Sequence, residues 1–259
     1  MRTLKKILLA AAILIVAIGA AGLYLLRGGF RDFEIKPYAA PPAAFTNWND
    51  VLSNPRDITL TTLRTGFVHM DACLNLDPAS PKQAACDHTP RDLPVLVHFV
   101  HHPRFGDFLI DAGFDDSFTK SPPYGSYAAV MKLFNWSNGV TNRQEPGEDL
   151  QAQLARLNIR PKAVFFTHLH PDHTAGVQAL APDTEFVFGS AEASFLAKAA
   201  VANHFSGKSK FFGIDFPRTP IPGQSSFLGT TLNVSDQHGD LTGGFFMCLG
   251  LKKPSVPIM

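Results

Sequence analysis

Three histidines and one aspartate fall within six residues of each other: His168, His170, Asp172 and His173, in the run Phe-Thr-His-Leu-His-Pro-Asp-His-Thr-Ala-Gly at 166–176. Imidazole and carboxylate are ligands for zinc, with iron and manganese as alternatives. Residues i and i+2 of an extended segment point to one side, so His168 and His170 are spaced to grip one ion. Asp172 and His173 follow where a strand gives way to a helix, and they are spaced to turn toward a second ion beside the first. One histidine at a strand end is most often solvated. Four ligand-type residues directly after a buried strand rarely arise without a role.

The elements that must position this cluster are legible around it. An apolar strand over residues 163–167 leads into it, and a helix over 174–180 leaves it, stopped by Pro182. Upstream, residues 58–70 alternate as a strand. Residues 95–100 and 108–110 form a hairpin about the turn at 103–107, ending at Asp111-Ala112-Gly113. A short helix is expected near 128–134. Residues 148–157 carry Leu150, Leu154 and Leu157 at helical spacing. A strand over 184–188 precedes a helix that Ser190 can cap. Strands alternating with helices at this spacing indicate an α/β fold. Beyond residue 205 the pattern thins, with Phe211-Phe212 and Phe245-Phe246-Met247 as short strand candidates.

The segment 166–176 resembles the metal-binding motif of the metallo-β-lactamase superfamily. Asp111 is similar to the aspartate that ends an early strand there and supports the metal site. Thr174-Ala175-Gly176 and Ser190-Ala191-Glu192 also look like that family. The resemblance covers residues 58–205 and is closest to lactonase-like hydrolases. It implies an αββα sandwich with two zinc ions at one edge: His168 and His170 on one, Asp172 and His173 on the other. It further implies a small-molecule substrate and a metal-held hydroxide attacking a lactone or other ester carbonyl, with Asp172 orienting the nucleophile or shuttling its proton. β-Lactamase, thioesterase and phosphodiesterase activities fit the same motif.

The family completes its site from the second half of the fold, with a third histidine, a bridging aspartate and a last histidine. After His173 the chain has only His204 and His238. A packing or solvated role is expected for His204. His238, in Asp236-Gln237-His238-Gly239-Asp240, is the candidate third ligand, and Asp240 the candidate bridge, in a context unlike the family's. With no later histidine, the expectation is an incomplete, truncated second half, and a catalytically degenerate family member is the alternative to an enzyme. His98, His101 and His102 are expected on the sheet surface or hairpin. His69, His88, Asp115 and Asp116 carry no signal above background.

The 259 residues are 17% charged, with net charge +1 and mean hydropathy +0.03. A disordered chain would be more polar. A nucleic-acid binder would be far more basic, so nucleic acid is not an expected partner. Twenty-two phenylalanines against 4 Tyr and 2 Trp point to an aromatic core. Arg2, Lys5 and Lys6 precede an apolar run over residues 7–26. Twenty helical residues span roughly 30 Å, the thickness of a bilayer core. Residues 1–27 are therefore expected to be a transmembrane anchor, or a signal peptide cleaved near Gly19–Gly22, with the body exported in either case. Residues 28–56, with Pro37, Pro41, Pro42 and Pro55, read as a linker, and 57–259 as the domain. Export permits disulfides. Cys73 and Cys86 flank a polar, proline-bearing loop and are expected to pair, leaving Cys248.

Overall fold

The structure is a computed structural model that describes residues 2–28, 34–39, 53, 57–76, 82–192 and 201–214. The chain divides into two compact units, Met1–Glu34 and Ile35–Met259. The first holds helix α1, Arg2–Gly28. Its described side chains over residues 9–20 are apolar and exposed. Among the described residues, no helix is long and apolar enough to cross a membrane.

The second unit is built on one eight-stranded sheet. Its strands are β1 (Ile35–Pro37), β2 (Thr59–Met70), β3 (Arg91–His102), β4 (Gly106–Ile110), β5 (Thr141–Arg143), β6 (Ala163–Phe165), β7 (Glu185–Gly189) and β8 (Lys210–Ile214), in the spatial order β1-β8-β7-β6-β4-β3-β2-β5. From β4 to β1 every neighbouring pair is parallel: β4–β6, β6–β7, β7–β8 and β8–β1. On the other side β4–β3, β3–β2 and β2–β5 are antiparallel. The fold is thus mixed α/β. A second sheet of the expected sandwich would need residues after 214, which lie outside those described.

The helices of this unit are α2 (Ser117–Lys120), α3 (Ala129–Ser137), α4 (Leu150–Leu157) and α5 (Pro171–Thr174). α4 begins where Asp149 caps it, accepting from the Ala152 amide at 2.8 Å. It ends at Asn158 in the left-handed conformation, φ 54. The helix expected over 174–180 is instead the single turn α5, then a 3-10 turn at Ala175–Ala179. Gly176 explains the tightening: its amide donates to Gly113 O at 2.7 Å, leaving the helical ladder.

Strand β3 is longer than the hairpin pattern suggests and runs through Pro94. Proline is tolerated there because β4 pairs only from His98 onward, so nothing on that side asks for the missing N–H. Within the expected linker, Ile35–Pro37 is an edge strand beside Phe211–Gly213. Tyr38 fixes it: its amide donates to Gly213 O at 2.8 Å, and its ring meets Phe165 at 5.7 Å and Phe212 at 6.1 Å.

Phenylalanines supply much of the core on both faces of the sheet. Phe211 packs with Phe186 and Phe205 on one face while Phe212 meets Tyr38 on the other, as strand alternation requires. A further cluster joins Val95, Phe114, Phe118, Tyr127 and Ala175. β7 is buried at four of its five positions, Phe186 to Gly189, the pattern of a central parallel strand covered on both faces.

Candidate metal centre

The six-residue cluster begins three residues beyond the carboxyl end of β6. Two neighbours in the same parallel array end beside it. β4 ends at Ile110, immediately before Asp111, and β7 ends at Gly189, before the 3-10 turn Ser190–Glu192. The carboxyl ends of parallel strands are where α/β sheets place ligands, because the following loops converge there.

Asp111 holds the cluster together. Its backbone is left-handed, φ 62, a conformation few residues other than Gly, Asn and Asp adopt. The turn it makes sends the Asp111 amide to Phe165 O at 2.9 Å, and the next amide, of Ala112, to His173 O at 2.8 Å. Its carboxylate, nearly buried, accepts from the Thr167 amide at 2.9 Å, the Thr167 hydroxyl at 2.9 Å and His173 Nδ1 at 2.8 Å. One carboxylate thus ties the start of the motif to its end.

The hydroxyl of Thr167 has one proton, and it goes to Asp111. His168 Nδ1, 3.0 Å from that oxygen, is therefore the donor of that contact, which leaves the His168 Nε2 lone pair free. Burial, then the charges of His173 and His170, pull His168 down to about 4, so it is neutral at neutral pH. The His168 ring lies 4.3 Å from that of His170 and 4.1 Å from that of His173. His170 is exposed. It ends the extended stretch at φ −75, ψ 152, and its carbonyl accepts from the His173 amide at 3.1 Å, closing the turn. Pro171 sits at the first helical position, where its missing N–H costs nothing.

His173 stands between two carboxylates, with Nδ1 on Asp111 and Nε2 at 3.4 Å from Asp172 Oδ2. Burial alone would lower it. The bonds to Asp111 and Asp172 and their charges win and raise it to about 10, so without a metal it is a cation. Burial also pushes the Asp172 carboxyl up, but the His173 bond and the charges of His173 and His170 more than offset it. Asp172 is held ionised. Because both nitrogens of His173 face acids, the four side chains are gathered without closing on one point. Among the described residues, the group of three whose ligand atoms all lie within 4.8 Å of one another is elsewhere: Asp71, Cys73 and His88.

Three supports reach the motif from outside it. Glu192 Oε2 accepts from the Leu169 amide at 3.3 Å, bracing the motif from the end of β7. His204 is fully buried and sits 2.9 Å from Thr174 Oγ1, whose proton goes to His170 O at 3.1 Å. Its Nε2 is buried without a partner in hydrogen-bonding geometry, and burial lowers His204 to about 4. Of the packing and solvated roles expected of His204, burial leaves packing. Tyr127, also buried, keeps its proton: burial first, then the charges of Asp172 and Asp115, raise it well above the usual phenol range. His204 and Tyr127 lie 31 and 41 residues from the nearest residue of the motif, separations no local pattern reports.

The other candidates are placed as follows. His102 is buried and accepts the Arg104 and Phe105 amides at the hairpin turn, while His101 pairs with Asp107 at 2.6 Å. His98 meets Thr62 at 2.9 Å, and His69 meets Asp92 at 2.9 Å. Asp115 caps the turn into α2 through the Ser117 amide, and burial raises its carboxyl. Cys73 and Cys86 are joined by a disulfide with Cα atoms 6.0 Å apart. His238, Asp240 and Cys248 lie outside the described residues.

No curated protein matches the chain. Among solved structures it is similar to a probable metal-dependent hydrolase from Staphylococcus aureus, at 18% identity and TM-score 0.42, covering 64% of this chain and 63% of that one. It is also similar to AidC, a dizinc quorum-quenching lactonase, at 16% identity and TM-score 0.40, covering 64% and 61%. A third is the hydrolase AbOPH of the beta lactamase superfamily, at 17% identity and TM-score 0.38, covering 61% and 58%. The chain spans less than two thirds of the length of each. The strand ends, the Asp111 turn and the histidine cluster all fall within residues 91–192, and this segment matches the metallo-beta-lactamase superfamily.

Proposed function

We propose that the chain is a metal-dependent hydrolase that opens a lactone or another ester, with His168, His170, Asp172 and His173 as ligands of two zinc ions. The observation that carries this reading is the shared carboxylate of Asp111. It fixes the His168 tautomer through Thr167 and orients His173 directly, the outer support that metal-ligating histidines characteristically have. The donor set suits the metal: a neutral imidazole with a free nitrogen, an exposed imidazole beside it, and an ionised carboxylate. The proton on His173 would leave as an ion enters, since a cation then answers the two carboxylates in its place.

When bound, zinc would supply Lewis acidity and bring the pKa of a coordinated water to about 7. The chain's own residues do the rest. Asp172, held ionised, can accept a proton during attack on the carbonyl. Asp111 keeps His173 from turning away.

Hydrolysis of a lactone panel, with and without zinc after chelation, tests this. The expected outcome is zinc-dependent turnover that falls to background in His170→Ala. A chain that neither takes up zinc nor turns over any lactone or ester would be a degenerate family member. We further propose that the body works in an oxidising compartment, an export reading supported by the Cys73–Cys86 disulfide. Labelling cysteines in cells with a membrane-impermeant thiol reagent, before and after reduction, tests it.

A further inference from the structure

Away from the histidine motif, the connection between β2 and β3 carries a second set of ligand-type residues. Asp71 directly follows β2, and Cys73 lies in the 3-10 turn Ala72–Asn75. Cys86 ends the 3-10 turn Gln83–Ala85, and His88 follows three residues before β3. The sequence reads Asp-x-Cys on one side and Cys-x-His on the other. The disulfide brings the two pairs together, and His88 Nδ1 meets Asp71 Oδ2 at 2.7 Å. Ligand atoms of Asp71, Cys73 and His88 all lie within 4.8 Å of one another. Cys86 Sγ is bonded to one of these atoms, so it belongs to the same point in space. Four ligands around a tetrahedral zinc lie roughly 3.3–3.8 Å apart, given Zn–S near 2.3 Å and Zn–N near 2.0–2.1 Å. The observed cluster is already within that range of adjustment.

We propose that Asp71, Cys73, Cys86 and His88 form a second zinc site, closed when the Cys73–Cys86 disulfide is reduced. The present arrangement is the oxidised alternative, in which the two sulfurs hold each other. A dithiol reductant would convert the disulfide to two thiols and itself become a cyclic disulfide. Zinc would then displace the two thiol protons and bind two thiolates, one imidazole and one carboxylate, a closed structural set. The surroundings suit the exchange. Cys73 is 1% exposed, giving the site a dry floor, while the His88 side chain is 64% exposed. The His88 bond and the Cys73 amide keep Asp71 below the usual carboxylate range, so a charged oxygen is already present. Either closure joins the same loop ends and so holds the β2–β3 connection. The fold would then keep this link under reducing as well as oxidising conditions.

Cobalt(II) distinguishes this site from the histidine motif, because only thiolate ligands give a sulfur-to-cobalt charge-transfer band. The test uses the full chain with Cys248→Ser, reduced by a trialkylphosphine, which goes to the phosphine oxide as water supplies the thiol protons. Reduced protein should show the band and take up one more cobalt per chain than oxidised protein, which should lack the band. His170→Ala should keep the band, whereas Cys73→Ser with Cys86→Ser should lose it. His88→Ala and Asp71→Asn should each weaken cobalt binding at least tenfold. A reduced protein without the band, or a band indifferent to His88 and Asp71, would overturn the proposal. So would loss of the native circular dichroism spectrum on reduction with zinc already present.

Discussion

A single carboxylate at Asp111 does the work of three contacts, so its charge and its backbone must be separated to learn what each contributes. Asp111→Asn does this. Asparagine tolerates the left-handed backbone that Asp111 adopts, φ 62, and fills the same space, but it brings no charge. We expect the fold to survive and zinc affinity to drop ten- to a hundredfold, read by competition with a chromophoric chelator. His204 gives the second residue-scale outcome. Its folded pKa is lowered to about 4 by burial, from the ordinary 6.5 of a histidine. The unfolded chain therefore binds the extra proton in that window. Stability is fully present above about 6.5 and falls as pH drops toward 4, by about 1.4 kcal/mol per pH unit. In His204→Asn, which retains a donor toward Thr174, the slope of unfolding free energy against pH over that window should flatten by this amount. Urea denaturation at a series of pH values would measure it.

At the scale of elements, the site exists because the turn after β4 lies directly against the turn after α5. Gly113 and Gly176 are the points of contact. Gly113 has φ 58, and a Cβ there would strike the side chains of Thr65 and Val97; a Cβ on Gly176 would run into the carbonyl of Ala112. Gly176→Ala should cost about 1–3 kcal/mol by overpacking. Because the push falls on the Asp111 turn, it should also weaken zinc binding, and a thermal melt paired with a zinc titration would show both losses together. Elements built on local chemistry were readable without the fold. Leu150, Leu154 and Leu157 marked α4, and the alternation at Ile58, Leu60 and Thr62 marked β2. The errors lie where a distant partner overrides local preference. The 174–180 stretch tightens because Gly176 bonds to Gly113, and Ile35–Pro37 becomes a strand because β8 presents an edge to it. Pro94 reads as a strand breaker until it is known that, among the described residues, β3 is paired there by β2 alone and β4 joins only from His98.

Across the whole molecule, the Cys73–Cys86 link closes a separation of 13 residues, worth roughly 3 kcal/mol through the denatured chain's lost entropy. Thiol counting on unfolded, unreduced protein should find one free thiol, Cys248, and three after reduction. The midpoint of denaturation should fall on reduction in the presence of a chelator. The sequence by itself determined the close grouping of three histidines and an aspartate, the α/β class and the apolar helix at the amino terminus. Each of those is written in residue types and in spacings of two to four positions, which the local backbone converts directly into a shared face. The tertiary structure alone decided that Asp111 grips both Thr167 and His173, that His204 and Tyr127 close behind the motif, and that Asp71 and His88 meet over the disulfide. Those contacts join parts of the chain 17 to 62 residues apart. Such separations are bridged by strand order and crossover packing, and sequence periodicity carries no record of which strand ends become neighbours.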